Sequence, residues 1–269
     1  MDPVVSSEWL AQHLDSVVLA DARWYLDGRD ARREYERGHL PGAVFVDVEH
    51  ALAAPAEPSR GRHPLPDPEA FAAAMGALGI AGSDVVVAYD DAGGVIAARL
   101  VWMLRATGHE AAILDGGILA WPGPLATLEV PRPPAHFAPV PWPADRMATI
   151  DDVAQSGGVV IDARDGARFR GEEEPIDPRA GHIPGAVNVP CRDNLDDRGR
   201  LLPVAQLRRR FEAAGVRDDL DAISYCGSGV TACHNILVLE HAGLRGARLF
   251  VGSWSQWSSD PARPVATGA

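Results

Sequence analysis

The chain repeats itself at a spacing of roughly half its length, and that repeat constrains the fold more than any other feature. Val17-Val18-Leu19-Ala20-Asp21-Ala22-Arg23 returns as Val159-Val160-Ile161-Asp162-Ala163-Arg164. Gly38-His39-Leu40-Pro41-Gly42-Ala43-Val44 returns as Gly181-His182-Ile183-Pro184-Gly185-Ala186-Val187, and Val87-Ala88-Tyr89-Asp90 as Ile223-Ser224-Tyr225-Cys226. Anchors in the same order mean two copies of one domain. Between them runs Pro131-Arg132-Pro133-Pro134-Ala135-His136-Phe137-Ala138-Pro139-Val140-Pro141-Trp142-Pro143, whose prolines forbid helix and favour an extended connector. The expected division is a first domain over 1–130, a linker over 131–144 and a second domain over 145–269. Within each copy short Val/Ile-rich runs alternate with helical stretches, as in Val85 to Tyr89, Ala97 to Thr107 and Ala111 to Asp115. That alternation predicts an α/β fold: in each domain a doubly wound parallel sheet flanked by helices, with ligands at the carboxyl ends of the strands.

The third anchor carries the chemistry. Asp221 to Tyr225 reads as a strand, Thr231 to Ala242 as a helix stopped by Gly243, and Cys226-Gly227-Ser228-Gly229-Val230 as the turn between them. A turn this rich in glycine lets successive backbone N–H groups converge into an anion nest at the positive end of a helix, where a thiolate is stabilised. A buried but inert cysteine, which packs as a small hydrophobe, needs no such nest. Cys226 is therefore the expected nucleophile. Gly227, Gly229, Val230 and Thr231 line the nest as candidate substrate-binding residues, although a threonine at a helix start also caps by default. Ser228 either donates a hydrogen bond to the sulfur or to a leaving group, or shapes the turn. The equivalent loop of the first copy, Asp90-Asp91-Ala92-Gly93-Gly94, has a carboxylate where the thiol would be and cannot carry a sulfur atom. Its aspartates read as turn residues bonded to solvent or backbone rather than as a metal site.

Composition closes off other classes. The formal net charge of −12 argues against nucleic acid as a partner. All 25 basic residues are arginine, so no lysine Schiff base can form, and an anion must be held by arginine or backbone. Three cysteines, Cys191, Cys226 and Cys233, neither pair into a disulfide framework nor show zinc spacing, and His234 and His241 lack ligand neighbours; no metal and no cofactor is expected. No apolar run is long enough to span a bilayer, so no membrane is expected as a partner, and the N-terminal residues do not read as a signal peptide. A reducing, cytoplasmic location follows as an expectation.

The run Cys226-Gly-Ser-Gly-Val-Thr-Ala232, the His182-Ile-Pro-Gly-Ala-Val-Asn188 segment and the terminal Gly252-Ser-Trp-Ser-Gln-Trp257 together resemble the rhodanese superfamily, specifically its 3-mercaptopyruvate sulfurtransferase branch, over nearly the whole chain. The resemblance implies two tandem rhodanese-like domains, the first non-catalytic. It implies an enzyme that takes sulfur from a small-molecule donor, 3-mercaptopyruvate or thiosulfate, onto Cys226 as a persulfide. The sulfur would pass to a thiol, such as thioredoxin or a low-molecular-weight thiol, or to cyanide. The resemblance also implies that Arg168 grips the donor anion, and that Asp30 and His39 form a relay with Ser228, against the alternative that the His-x-Pro-Gly-Ala turns are structural. The family's second arginine falls on Ile176, leaving Arg179 as a candidate substitute. Val251 and Gln256 stand where an aspartate and a glutamate are common. The rival readings are a persulfide carrier or redox-responsive interaction protein with little turnover, and a thiol-dependent phosphatase; the latter needs a loop arginine that this loop lacks.

Overall fold

The computed structural model describes residues 1–217 and 221–269 and divides them into two compact units. The first comprises Met1–Ala54, Pro66–Trp142 and Asp197–Leu201; the second comprises Pro55–Leu65, Pro143–Asp196 and Leu202–Ala269. Neither unit is one continuous stretch of chain. Each unit borrows a loop from the other half of the chain, and residues 131–142 are no free linker. The proline-rich segment is strapped to the first unit: Ala135 N–H donates to Gly76 O at 2.9 Å, Trp142 Nε1 to Pro66 O at 2.7 Å, and Phe137 is buried against Phe71 and His109.

In the first unit β1 (Val4–Val5), α1 (Ser7–His13), β2 (Val17–Asp21), α2 (Ala31–Arg37), β3 (Val44–Phe45), α3 (Val48–Ala51), α4 (Pro68–Ala77), β4 (Val85–Tyr89), α5 (Ala98–Ala106) and β5 (Ala111–Leu114) form a five-stranded sheet in the order β1-β5-β4-β2-β3, parallel throughout. The second unit adds α6 (Ile150–Ala154), β6 (Val159–Asp162), α7 (Gly166–Arg170), β7 (Val187–Asn188), α8 (Val204–Ala213), β8 (Ala222–Tyr225), α9 (Ala232–His241), β9 (Arg248–Leu249) and α10 (Ser253–Ser259). Its four strands run in the order β7-β6-β8-β9, also parallel. The central strands are buried on both faces, which is why they read as unbroken Val/Ile/Ala runs rather than as alternation. The strand, helix and strand expected over residues 85–115 stand as β4, α5 and β5.

The repeated motifs prove to be a scaffold. In each copy an aspartate at the end of a central strand takes a bidentate bond from the arginine two residues on, Asp21 with Arg23 and Asp162 with Arg164. Each arginine then reaches the carbonyl before the histidine of the repeat, Gly38 O at 2.8 Å and Gly181 O at 2.7 Å. All four side chains are nearly or wholly buried, so breaking either pair would strand a charge at a cost of about 3–5 kcal/mol. Such pairs fix the loops that follow β2 and β6 at the carboxyl end of each sheet. No helix among the described residues is long and apolar enough to cross a membrane.

Candidate active site

Cys226 follows β8 directly and lies at the carboxyl end of the sheet, only 2 % exposed. The turn after it delivers Gly229 N–H to Cys226 Sγ at 3.1 Å, and α9 begins at Ala232. Gly229 is obligatory here: its φ is +79°, and a Cβ would fall 2.4 Å from Val251 O. Thr231 stands at the helix start but makes no side-chain capping bond, a correction to the capping reading. Burial pushes the Cys191 thiol up to about 12, which makes it a packing residue at neutral pH. The Cys233 thiol donates to Gly229 O at 3.3 Å, bracing the same turn.

The first copy shows what the nest is built to hold. Asp90 Oδ1 accepts from Ala92 N–H and Gly94 N–H, both at 2.8 Å, and Oδ2 from Ile96 N–H at 2.7 Å and Ala97 N–H at 2.8 Å. Burial pushes this carboxyl up and the four donors oppose it. The side chain thus fills its own anion nest, as the turn-aspartate reading expected.

Two guanidinium groups overlie the turn in the second unit. A Cβ on Gly227 would stand 3.0 Å from Arg62 Nη2 and 3.5 Å from Arg168 Nη1, so the missing side chain is what admits them. Arg168 Nη2 donates to Glu174 at 2.7 Å and to Asp177 at 3.3 Å, while Arg62 Nη1 pairs with Asp177. Glu174 is itself gripped by Ile176 N–H and Asp177 N–H at 3.1 and 3.0 Å. The buried carboxylates act as fixed posts: each arginine spends one nitrogen on them and turns another toward the loop.

Arg179 does not join this pair. Its guanidinium donates to Ser258 O, Trp257 O, Asp260 O and Arg263 O at 2.6–2.9 Å, tying off the end of α10, and this corrects its assignment to the substrate. The second arginine over the loop is Arg62, from a segment no sequence argument singled out.

A similar correction applies to the relay. Ser228 Oγ lies 2.7 Å from Nδ1 of His63, both side chains buried. His39 spends its Nδ1 on Tyr35 O at 2.8 Å and stacks on that tyrosine's ring at 3.9 Å, just as His182 does with Phe169. Asp30 caps α2 through Arg33 N–H. His39 and Asp30 therefore build their own domain, and the histidine that meets Ser228 is His63. The sequence signal for Arg62 and His63 was faint, two polar residues in Gly61-Arg62-His63-Pro64, inside an irregular loop without periodicity.

Comparison with known proteins agrees with the doubled architecture: the rhodanese-like domain model matches residues 6–123 and again 146–260. The chain belongs to the rhodanese family. Among similar rhodanese proteins, a probable 3-mercaptopyruvate sulfurtransferase of Pseudomonas aeruginosa is 43 % identical over 98 % of both chains. The human 3-mercaptopyruvate sulfurtransferase is 38 % identical over 94 % of this chain and 91 % of its own. A putative thiosulfate sulfurtransferase, SseB of Mycobacterium tuberculosis, is 40 % identical over 94 % of this chain and 92 % of its own. The crystal structure of SseA from Escherichia coli, a 3-mercaptopyruvate sulfotransferase with the rhodanese fold, superposes with a TM-score of 0.82 at 34 % identity, covering 94 % of this chain and 99 % of that one.

Proposed function

We propose that this rhodanese is a sulfurtransferase that takes sulfur preferentially from 3-mercaptopyruvate onto Cys226. The observation that carries the donor choice is the Ser228–His63 pair beside the nucleophile. The Cys226 thiolate attacks the donor sulfur, forming the S–S bond and breaking the C–S bond, and the bonding electrons leave as the enolate of pyruvate. That enolate needs a proton, and a hydroxyl hydrogen-bonded to an imidazole can supply one. Sulfite leaving thiosulfate has no such need. Arg168 and Arg62 take the donor carboxylate, whose planar oxygens match guanidinium donors, and Gly229 N–H, with the nest lined by Gly227, Val230 and Thr231, steadies the sulfur anion.

A thiol or cyanide then attacks the outer sulfur and leaves with it, returning the Cys226 thiolate; thioredoxin and low-molecular-weight thiols fit this step as well as cyanide. Free thiols at Cys191, Cys226 and Cys233 suit a reducing, cytoplasmic setting. Neither a metal nor an organic cofactor takes part in these steps.

The decisive experiment compares kcat/KM for 3-mercaptopyruvate and thiosulfate at one acceptor concentration, in the wild type and in Ser228→Ala. The ratio should favour 3-mercaptopyruvate, and Ser228→Ala should lower that constant about tenfold while leaving the thiosulfate constant within about twofold. A ratio favouring thiosulfate, or an equal loss with both donors, rejects the donor assignment. Mass analysis after incubation with donor should place one added sulfur on the Cys226 peptide, and Cys226→Ser should abolish both the adduct and turnover. Multiple turnovers per site exclude a mere persulfide carrier.

A further inference from the structure

The first turn of α10 holds the only non-glycine residue with positive φ among the described residues, Ser253 at +51°. A left-handed serine is strained where glycine is not. The first copy shows the cheaper solution. There Gly117 has φ +57°, and Ile118 N–H donates to Asp90 O at 2.8 Å just as Trp254 N–H donates to Cys226 O at 3.0 Å, so Gly117 and Ser253 are equivalent positions. What the serine adds is its hydroxyl. Ser253 Oγ accepts from Cys226 N–H at 3.1 Å and donates to Phe250 O at 2.8 Å. Both backbone polar groups of the nucleophile are thus held by one turn.

The same turn also holds the segment that brings Arg62. Ser255 N–H donates to Gly227 O at 2.9 Å, and Ser255 Oγ accepts from Arg62 N–H at 3.1 Å while donating to Gly252 O at 2.9 Å. Gln256 Nε2 donates to Ser59 O at 2.6 Å, a bond that an ionised glutamate at this position could not make. Close packing confirms the contact: Gly61 has φ +90°, and a Cβ there would lie 2.6 Å from Gly252 O. The turn is itself anchored, with Trp254 fully buried against Arg164 and its Nε1 bonded to Arg179 O at 2.9 Å.

We propose that Ser253 and Ser255 are paired positioning residues, Ser253 setting the backbone of the nucleophile and Ser255 setting the Arg62 guanidinium over it. This deepens the sulfurtransferase reading and rests on it. The two serines then act on different constants. Losing the Ser253 hydroxyl lets Cys226 drift from the attack geometry, which lowers kcat. Losing the Ser255 hydroxyl releases Arg62, which weakens donor binding and raises KM.

The test uses the full chain carrying Ser253→Gly or Ser255→Ala, assayed with 3-mercaptopyruvate and a thiol acceptor alongside thermal unfolding. Ser253→Gly relieves the strain but leaves the Cys226 N–H without its acceptor, so the unfolding temperature should move little while kcat falls about three- to tenfold. Ser255→Ala should raise KM by a similar factor with a smaller change in kcat, and Ser255→Thr, which keeps the hydroxyl, should restore most of the loss. A Ser253→Gly enzyme with undiminished kcat, or one whose loss tracks a lower unfolding temperature, overturns the proposal; so does a Ser255→Ala enzyme with unchanged KM. Wild-type enzyme that takes no sulfur onto Cys226 would overturn the sulfurtransferase reading and this proposal together, whereas normal wild-type loading with indifferent variants overturns the proposal alone.

Discussion

Arg62 and Arg168 stand over the same turn, and their separate contributions are measurable. Each faces Gly227 with one nitrogen and is braced by Asp177 with another, so neither can cover for the loss of its neighbour without breaking a buried ion pair. Arg62→Ala and Arg168→Ala should each cut kcat/KM for 3-mercaptopyruvate by about 1.5–3 kcal/mol, the range of a charged hydrogen bond. The pair should be non-additive in a double-mutant cycle, because both share Asp177. His234 is a residue of the opposite kind: fully buried in α9, with neither ring nitrogen partnered among the described residues, and pushed down to about 3 by burial. Its folded value lies below the ordinary ~6.5 of an unfolded histidine, so the stability it permits is complete above that value and is lost as pH falls toward the folded one. At pH 5 the penalty is about 2 kcal/mol. Denaturant unfolding at pH 7 and pH 5 should therefore show His234→Leu losing about that much less than wild type on acidification. Equal losses would mean that the ring finds a proton-accepting partner.

The strand-to-helix turns of the two copies are the same element put to different ends. In the first copy the side chain of Asp90 accepts from four N–H groups, and in the second Cys226 Sγ accepts from Gly229 N–H. The first turn is therefore locked by its own carboxylate. Asp90→Ala should leave buried donors without an acceptor and destabilise the first unit by about 3 kcal/mol or more, with Asp90→Asn in between, since an amide offers one acceptor oxygen where the carboxylate offers two. Thermal unfolding reads this directly. A neutral outcome for Asp90→Ala would show that the nest tolerates vacancy or water.

The two units are not two stretches of chain. Because Pro55–Leu65 belongs with the catalytic unit, the half that carries Cys226 lacks Arg62 and His63 if cut at the apparent boundary. A fragment spanning 145–269 is expected to lose both the second guanidinium and the partner of Ser228, leaving its kcat/KM for 3-mercaptopyruvate at least about a hundredfold below that of the full chain. Activity of the fragment near the full-chain level would show that the Arg62 segment contributes nothing to turnover.

Local signals made much of this legible. Two Val/Ile-rich strand runs ending in Asp-Ala-Arg, two His-x-Pro-Gly-Ala turns and a Cys-Gly-Ser-Gly turn between strand and helix determined the fold class, the doubling and the nucleophile, because each depends on backbone propensity within a few residues. Arg168 came from the family resemblance rather than from a local signal, and the structure places it on the short helix α7 after the repeated Asp-Ala-Arg. What tertiary structure alone decided were the partners brought from far along the chain: His63 for Ser228 at a separation of 165 residues, Ser255 for Arg62 at 193, and Gln256 for Ser59 at 197. Histidine and arginine in an irregular loop carry no periodicity to show where they point. Arg179 illustrates the converse, since its motif context suggested a substrate while the carbonyls ending α10 claimed every nitrogen of its guanidinium. A side chain's neighbours along the sequence set its backbone; which atoms its donors meet is settled by the packing of segments that the sequence leaves far apart.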